Sequence, residues 1–216
     1  MCMLLDQLYL LIDKGFLDDG DVETLRQLSQ HEHNEIRANV AKALVNADPS
    51  KAENILLAML NDKDYLVRTD VCDSLCFNSN PQVLEMLKKV AVKDKVGLVR
   101  HYAILTIGDI VLNINADKQE LLQFLKQRLL VEKGKHTKIA FYRTMYALGD
   151  EKYLQCLINQ LKSVRYQNRC ATVNTLRGIV NDKNKADIVA ALEDLSKTEK
   201  VVAVVSSIER ALNEIR

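Results

Sequence analysis

The feature that most constrains this chain is an internal echo. The stretch "DKDYLVRTDVCDSL", Asp62 to Leu75, returns 32 residues later as "DKVGLVRHYAILTI", Asp94 to Ile107. With Arg68 and Arg100 as anchors, apolar residues recur at offsets −1, +3, +4 and +7. They are Val67, Val71, Cys72 and Leu75 in one copy and Val99, Ala103, Ile104 and Ile107 in the other. The template also fits at Arg37, with Ile36, Val40, Ala41 and Leu44. Such offsets fall on one stripe of an α-helix, so each copy has a face that must be buried.

Weaker copies anchor at Phe141, Arg169 and Val205, the last interrupted by Glu209. The anchor spacings are 31, 32, 41, 28 and 36 residues. A unit this short cannot bury its apolar face alone, and stacked neighbours can. A drifting period of this size therefore predicts a solenoid.

Each anchored helix follows a second amphipathic stretch, such as "SKAENILLAML" before Arg68 and "PQVLEMLKKV" before Arg100. Asp48-Pro49 and Asn80-Pro81 each set a capping side chain before a proline at the first helical position. Proline loses no hydrogen bond there, and each cap contributes about 1 kcal/mol. The expected fold is all-α: a right-handed α-solenoid of about six antiparallel helix pairs after a leading helix at about 4–13. The pairs fall at about 20–46, 49–77, 81–112, 117–148, 150–180 and 184–215, as one repeat domain. The scarcity of Gly (7) and Pro (2) agrees with a helical chain.

The run from Asp94 to Gly108 resembles the HEAT repeat, and more closely its bacterial, PBS-lyase-type HEAT-like variety, whose second helix reads V-R-x-x-A-x-x-x-L-G. In that family a turn Asp precedes a helical Arg by six residues. Asp62/Arg68 and Asp94/Arg100 match both, whereas Arg37 and Arg169 match the Arg alone. The resemblance implies a superhelix whose second helices line a concave face that binds other macromolecules. Because the Asp/Arg pair recurs at the repeat period, Asp62, Arg68, Asp94, Arg100, Arg37 and Arg169 are expected to join neighbouring repeats, not to carry chemistry.

Enzymatic relatives of this repeat type set further tests. Deoxyhypusine hydroxylases carry paired His-Glu dipeptides that bind iron; here Tyr102 follows His101 in place of Glu. His31-Glu32 is the single His-Glu dipeptide, and it falls in a turn. Alkylpurine glycosylases of this type use tryptophans and a basic groove, and this chain has no Trp and a net charge of +1. "HEH" at 31–33 lacks a third ligand, and Cys72 sits at a core offset. No catalytic residue, metal or cofactor is expected.

Offsets +1, +2 and +5 point away from the buried stripe. On the solenoid reading they supply a partner-binding face of Asp70, Asp73, His101, Tyr102, Tyr142, Arg143, Tyr146 and Asn174. Tyrosine and arginine favour interfaces because they join large rigid area to a polar tip. The expected function is a non-enzymatic scaffold or adaptor holding a protein or peptide in the concave groove. One alternative is a HEAT-like enzyme of lyase or hydroxylase type with an unrecognised metal or chromophore site. Another is nucleic-acid binding through the positive C-terminal half: residues 109–216 carry 18 Lys+Arg against 13 Asp+Glu. Five cysteines without secretory spacing, and an N-terminal apolar run broken by Asp6, point to a reduced, cytoplasmic protein without a membrane anchor. Partner identity and oligomeric state are not encoded legibly.

Overall fold

The structure is a computed structural model that describes residues 2–215. Among these there are thirteen α-helices and no strand. The helices divide into two compact units, Met1–Lys118 and Gln119–Arg216.

Unit 1 opens with α1 (Cys2–Asp13), followed by three pairs: α2 (Asp19–Leu28) with α3 (Asn34–Leu44), α4 (Pro49–Met59) with α5 (Tyr65–Ser74), and α6 (Pro81–Lys93) with α7 (Gly97–Asn113). Side-chain caps start four of these helices. Asp18 accepts from the Asp21 N–H at 2.9 Å in a reciprocal capping box, Asp48 from Ser50, Asp64 from Leu66 and Asn80 from Gln82. The Asp48 and Asn80 caps precede Pro49 and Pro81 at the first helical position, as the sequence predicts.

Each first helix packs on its second, and the second helices lie side by side, α3 on α5 and α5 on α7. The leading helix α1 takes a second-helix place beside α3. Asn46, just past α3, donates to the Ile12 carbonyl at 2.6 Å and so closes the exposed end of α1. The template positions form the core: Ile36, Val40, Ala41 and Leu44, then Val67, Val71, Cys72 and Leu75, then Val99, Ala103, Ile104 and Ile107 are all buried. A buried Leu or Ile contributes roughly 1.5–3 kcal/mol by leaving water.

Unit 2 contains α8 (Lys118–Val131, beginning at the boundary residue), α9 (Lys135–Ala147), α10 (Lys152–Ile158), a 3-10 turn (Asn159–Lys162), α11 (Tyr166–Gly178), α12 (Lys185–Ser196) and α13 (Val202–Ile215). Ile139, Leu157, Val173, Leu176, Leu192 and Ile208 build its core where α9, α10, α11, α12 and α13 meet. After α9, Gly149 takes a φ of 104°. That lets the Asp150 N–H turn back to the Met145 carbonyl at 3.0 Å, which closes the helix end at a conformation glycine adopts without strain.

The fourth repeat corrects the expected register. Its anchor is Lys138, not Phe141. In all six second helices the anchor is the fourth helical residue, whose N–H donates to the carbonyl of the residue just before the helix: Arg37 to His33, Arg68 to Asp64, Arg100 to Val96, Lys138 to Gly134, Arg169 to Arg165 and Val205 to Val201. Phe141 lies three residues further, about 300° of helical rotation, so it falls on nearly the same stripe. That near-coincidence explains why the apolar template fits both positions.

Candidate functional site

The six-residue Asp/Arg spacing builds a ladder between successive turns. Arg37 donates through Nε and Nη2 to both carboxylate oxygens of Asp62, at 2.6 and 2.8 Å, and through Nη1 to the His31 and Glu32 carbonyls. Arg68 repeats the arrangement on Asp94 at 2.7 and 3.2 Å and on the Asp62 carbonyl at 2.7 Å. Each guanidinium thus spans two turns: backbone oxygens of its own and the carboxylate of the next. Asp62 and Arg68 are linked through the Asp62 backbone, while the Asp62 side chain serves Arg37. The carboxylate is fixed from below as well, since Asp62 accepts from the Asp64 N–H and Asp94 from the Val96 N–H, both at 2.8 Å. Arg100 donates to the Asp94 carbonyl at 2.9 Å.

In unit 2, Arg169 makes the same rung, with Glu199 at 2.6 and 2.9 Å and the Ser163 carbonyl at 2.8 Å. The guanidinium, with backbone N–H donors from Val201 and Lys200, holds the Glu199 carboxyl down at about 2. Glu132 occupies the matching turn position and accepts from the Gly134 N–H at 2.7 Å. Glu132 and Glu199 escaped a reading that looked for Asp alone. The signal was present, because each lies six residues before its anchor, Lys138 and Val205.

The ladder also absorbs the "HEH" turn, whose backbone it uses. The His31 and His33 rings lie 5.4 Å apart and the His33 N–H donates to His31 Nδ1. Cys72 is buried, and burial pushes its thiol up; Cys76 rises to about 11 for the same reason. Both thiols are therefore protonated at neutral pH and chemically quiet. Among the described residues no group of three or more His, Cys, Asp or Glu side chains is placed to hold a metal ion. No described helix is long and apolar enough to cross a membrane.

The residues expected to bind a partner divide between the units. Asp70, Asp73, His101 and Tyr102 belong to unit 1, and Tyr142, Arg143, Tyr146 and Asn174 to unit 2. In unit 1, Asp70 on α5 lies 3.4 Å from Lys42 on α3. Burial raises the Asp70 carboxyl above its ordinary value. Asp73 is raised too, by burial first and then by the charges of Asp70 and Asp109. The half-buried Tyr102 phenol is pushed up by burial and by those same two aspartates, Asp73 and Asp70, so all three share one face. His101 does not open onto that face: it is buried, with its ring edge-on to Tyr102 at 5.5 Å. Offset +1 is likewise closed at Ala38 and Thr69, since the second helices pack directly on one another.

In unit 2 the tyrosines are tied into the fold. Tyr142 stacks on Tyr153 with centroids 6.0 Å apart. The Tyr146 hydroxyl accepts from the Nδ2 of buried Asn184 at 2.9 Å. Arg143 is half-buried, and Asn174 on α11 is exposed.

The HEAT-repeat family profile matches residues 22–108, the part of the chain that holds the two echoed copies. No curated protein matches the chain by sequence. Among solved structures, the fold is similar to the complex of CpcE and CpcF of phycocyanin lyase from Nostoc sp. PCC7120, with 17% identity and a TM-score of 0.58 over 97% of this chain and 89% of that chain. Human deoxyhypusine hydroxylase, in complex with glycerol, aligns at 18% identity and a TM-score of 0.48 over 98% of this chain and 89% of that one. At such identities the likeness concerns fold alone, and it rests here on the phycocyanin lyase structure. A HEAT-like, all-helical repeat fold is what sequence and structure agree on.

Proposed function

We propose that this chain of HEAT-like helix pairs is a non-enzymatic scaffold that holds a protein partner on the second-helix face of unit 1. The observation that carries this reading is the trio Asp70, Asp73 and Tyr102. Half-buried Asp70 and the more exposed Asp73 sit within reach of each other's charge, and Lys42 pairs directly with Asp70 while reaching Asp73 only as the weakest of the charges acting on it. Such an arrangement costs the folded chain stability, unlike the ladder carboxylates Asp62, Asp94 and Glu199, which are each paired on both oxygens. A cationic side chain from a partner offsets that cost, and Tyr102 beside it supplies rigid contact area. The segment best suited to this face is therefore basic.

Two further points support a binding role. The recurring Asp/Arg pairs are fully occupied as joints, which removes the strongest charged constellation from consideration as an active site. The similar phycocyanin lyase structure is itself a complex of two proteins, and assembly with a protein partner is the property proposed here for this chain.

The test uses the Asp70→Asn/Asp73→Asn double variant, which relieves repulsion and so retains or gains stability. Affinity capture of wild type and variant, compared by quantitative mass spectrometry, is expected to show a protein lost from the variant. Unchanged capture, or a stoichiometric metal or chromophore in the purified wild-type protein, overturns the reading.

A further inference from the structure

Unit 2 carries a second unusual surface, along the turns that join first to second helices. These turns are 131–136, "VEKGKH"; 162–167, "KSVRYQ"; and 197–202, "KTEKVV". They form one edge. Arg169 ties the Ser163 and Val164 carbonyls to the Glu199 carboxylate. His136, hydrogen-bonded to Asn168, shares an open pocket of about 650 Å³ with Val164, Arg165, Tyr166 and Val201.

The acids of this edge are withdrawn from solvent. Glu132 is 6% exposed, and the Glu199 side chain, 4% exposed, is consumed by Arg169. The cations are not withdrawn: Lys133, Lys135, Lys162, Arg165 and Lys200 are all exposed. Apolar side chains stand among them, with Val164 at 92% and Val202 at 78% exposure. The same turns in unit 1 are mixed in charge, with Glu32 at 83% side-chain exposure and the Asp64 cap alongside Lys63 and Lys95. Positive charge with exposed valine is thus a property of unit 2's turns, not of the repeat.

We propose that this turn edge of unit 2 is a docking surface for an acidic segment of a partner protein that inserts an apolar side chain beside Val164 and Tyr166. Charge complementarity selects the acidic segment, and Arg165 at the pocket and the lysines of the same turns steer it. The pocket is concave and part-apolar, a shape that a side chain fills and a flat bilayer does not. One tyrosine supplies no stacking platform of the kind that single-stranded nucleic acid uses. The surface is independent of the unit 1 face proposed above, so either can fail without the other.

The experiment measures fluorescence anisotropy of a labelled Glu/Leu-rich peptide with the full chain, at low salt and at about 0.3 M salt, where exposed charges are screened. Binding is expected at low salt and weaker at high salt. The Lys135→Glu/Arg165→Glu variant is expected to lose on the order of tenfold in affinity. Val164→Asp should weaken binding as well, while Lys63→Glu/Lys95→Glu in unit 1 and Asp70→Asn/Asp73→Asn leave it unchanged. Circular dichroism melts establish that the variants fold, and the exposed Val164 position provides a second test if the charge-reversed variant does not. The proposal is overturned if the acidic peptide does not bind at low salt, or if the unit 1 edge variant loses as much affinity. Tighter binding to phosphatidylserine vesicles or to an oligodeoxythymidine than to the peptide overturns it too.

Discussion

Arg68 in unit 1 and Arg169 in unit 2 do the same structural work with different surroundings. Each forks onto a carboxylate, 26 residues ahead for Arg68 and 30 for Arg169, and each takes the backbone carbonyl six residues behind. Yet the helix start beside Arg68 is capped by Asp64, and the one beside Arg169 begins at Arg165, which makes no side-chain cap. Unit 1 carries 13 Lys+Arg and 18 Asp+Glu, and unit 2 carries 17 and 11. The difference teaches where this architecture is free to vary. The ladder needs the turn carboxylate and the anchor, and it leaves the residues between them open. Charge at the turn tips can therefore change sign between units while the joints keep their geometry.

That comparison can be broken most strongly at the joints. Arg68→Ala leaves Asp94 buried without its counter-charge, and should lower stability by about 3 kcal/mol in urea unfolding followed by circular dichroism. Arg169→Ala should match it, with Glu199 stranded. Equal losses mean the two ladders are equivalent, and a loss confined to one unit ends the analogy.

Acid sharpens it next. The Glu199 carboxyl lies at about 2 in the folded chain against an ordinary 4.5. Its contribution is therefore complete above about pH 5 and is lost as pH falls from there toward 2. Glu199→Gln should cost about 2 kcal/mol at neutral pH and progressively less below pH 4.5, until variant and wild type converge. The unit 1 face behaves oppositely. Asp73 titrates above its ordinary value, so its ionisation destabilises the fold, and Asp73→Asn should be neutral or slightly stabilising at pH 7 and without effect in acid.

A smaller contrast separates the tyrosines. Tyr146→Phe takes an acceptor from Asn184 and should cost about 1 kcal/mol, whereas Tyr102→Phe in unit 1 should leave stability nearly unchanged. Smallest are the helix starts: Asp64→Ala should cost about 1 kcal/mol, and Arg165→Ala, at the equivalent position, less than about 0.5 kcal/mol. Thermal melts of the four variants side by side read both contrasts.

Much of the fold was legible because the apolar stripe is a local code. Val71 and Ile104 declare their burial by spacing along their own helices, and Asp48-Pro49 announces a helix start within two residues. The ladder was half legible. The recurrence of Asp62/Arg68 and Asp94/Arg100 showed that the pair was structural, but not that Arg68 reaches past Asp62 to Asp94. That pairing depends on how turns stack, and no local pattern states it. The Phe141 anchor failed for a related reason: a shift of three residues barely moves an apolar stripe, so hydrophobicity alone leaves the register of α9 open. The start of α9 just after Gly134, with Glu132 in the turn, fixes it.

The candidate faces were less legible still. Tyr102, Tyr142 and Tyr146 look alike in sequence, at exposed offsets in neighbouring repeats. Tertiary packing separates them, because Tyr142 meets Tyr153 and Tyr146 meets Asn184, 38 residues away, while Tyr102 is left beside two aspartates. By itself, then, the sequence determined the helices, their pairing and the residues that face inward, since periodicity and capping act within a few residues. The tertiary structure alone decided which charges are spent as joints and which stay at the surface, since a carboxylate's partner is set by residues that stacking, not sequence proximity, brings within 3 Å.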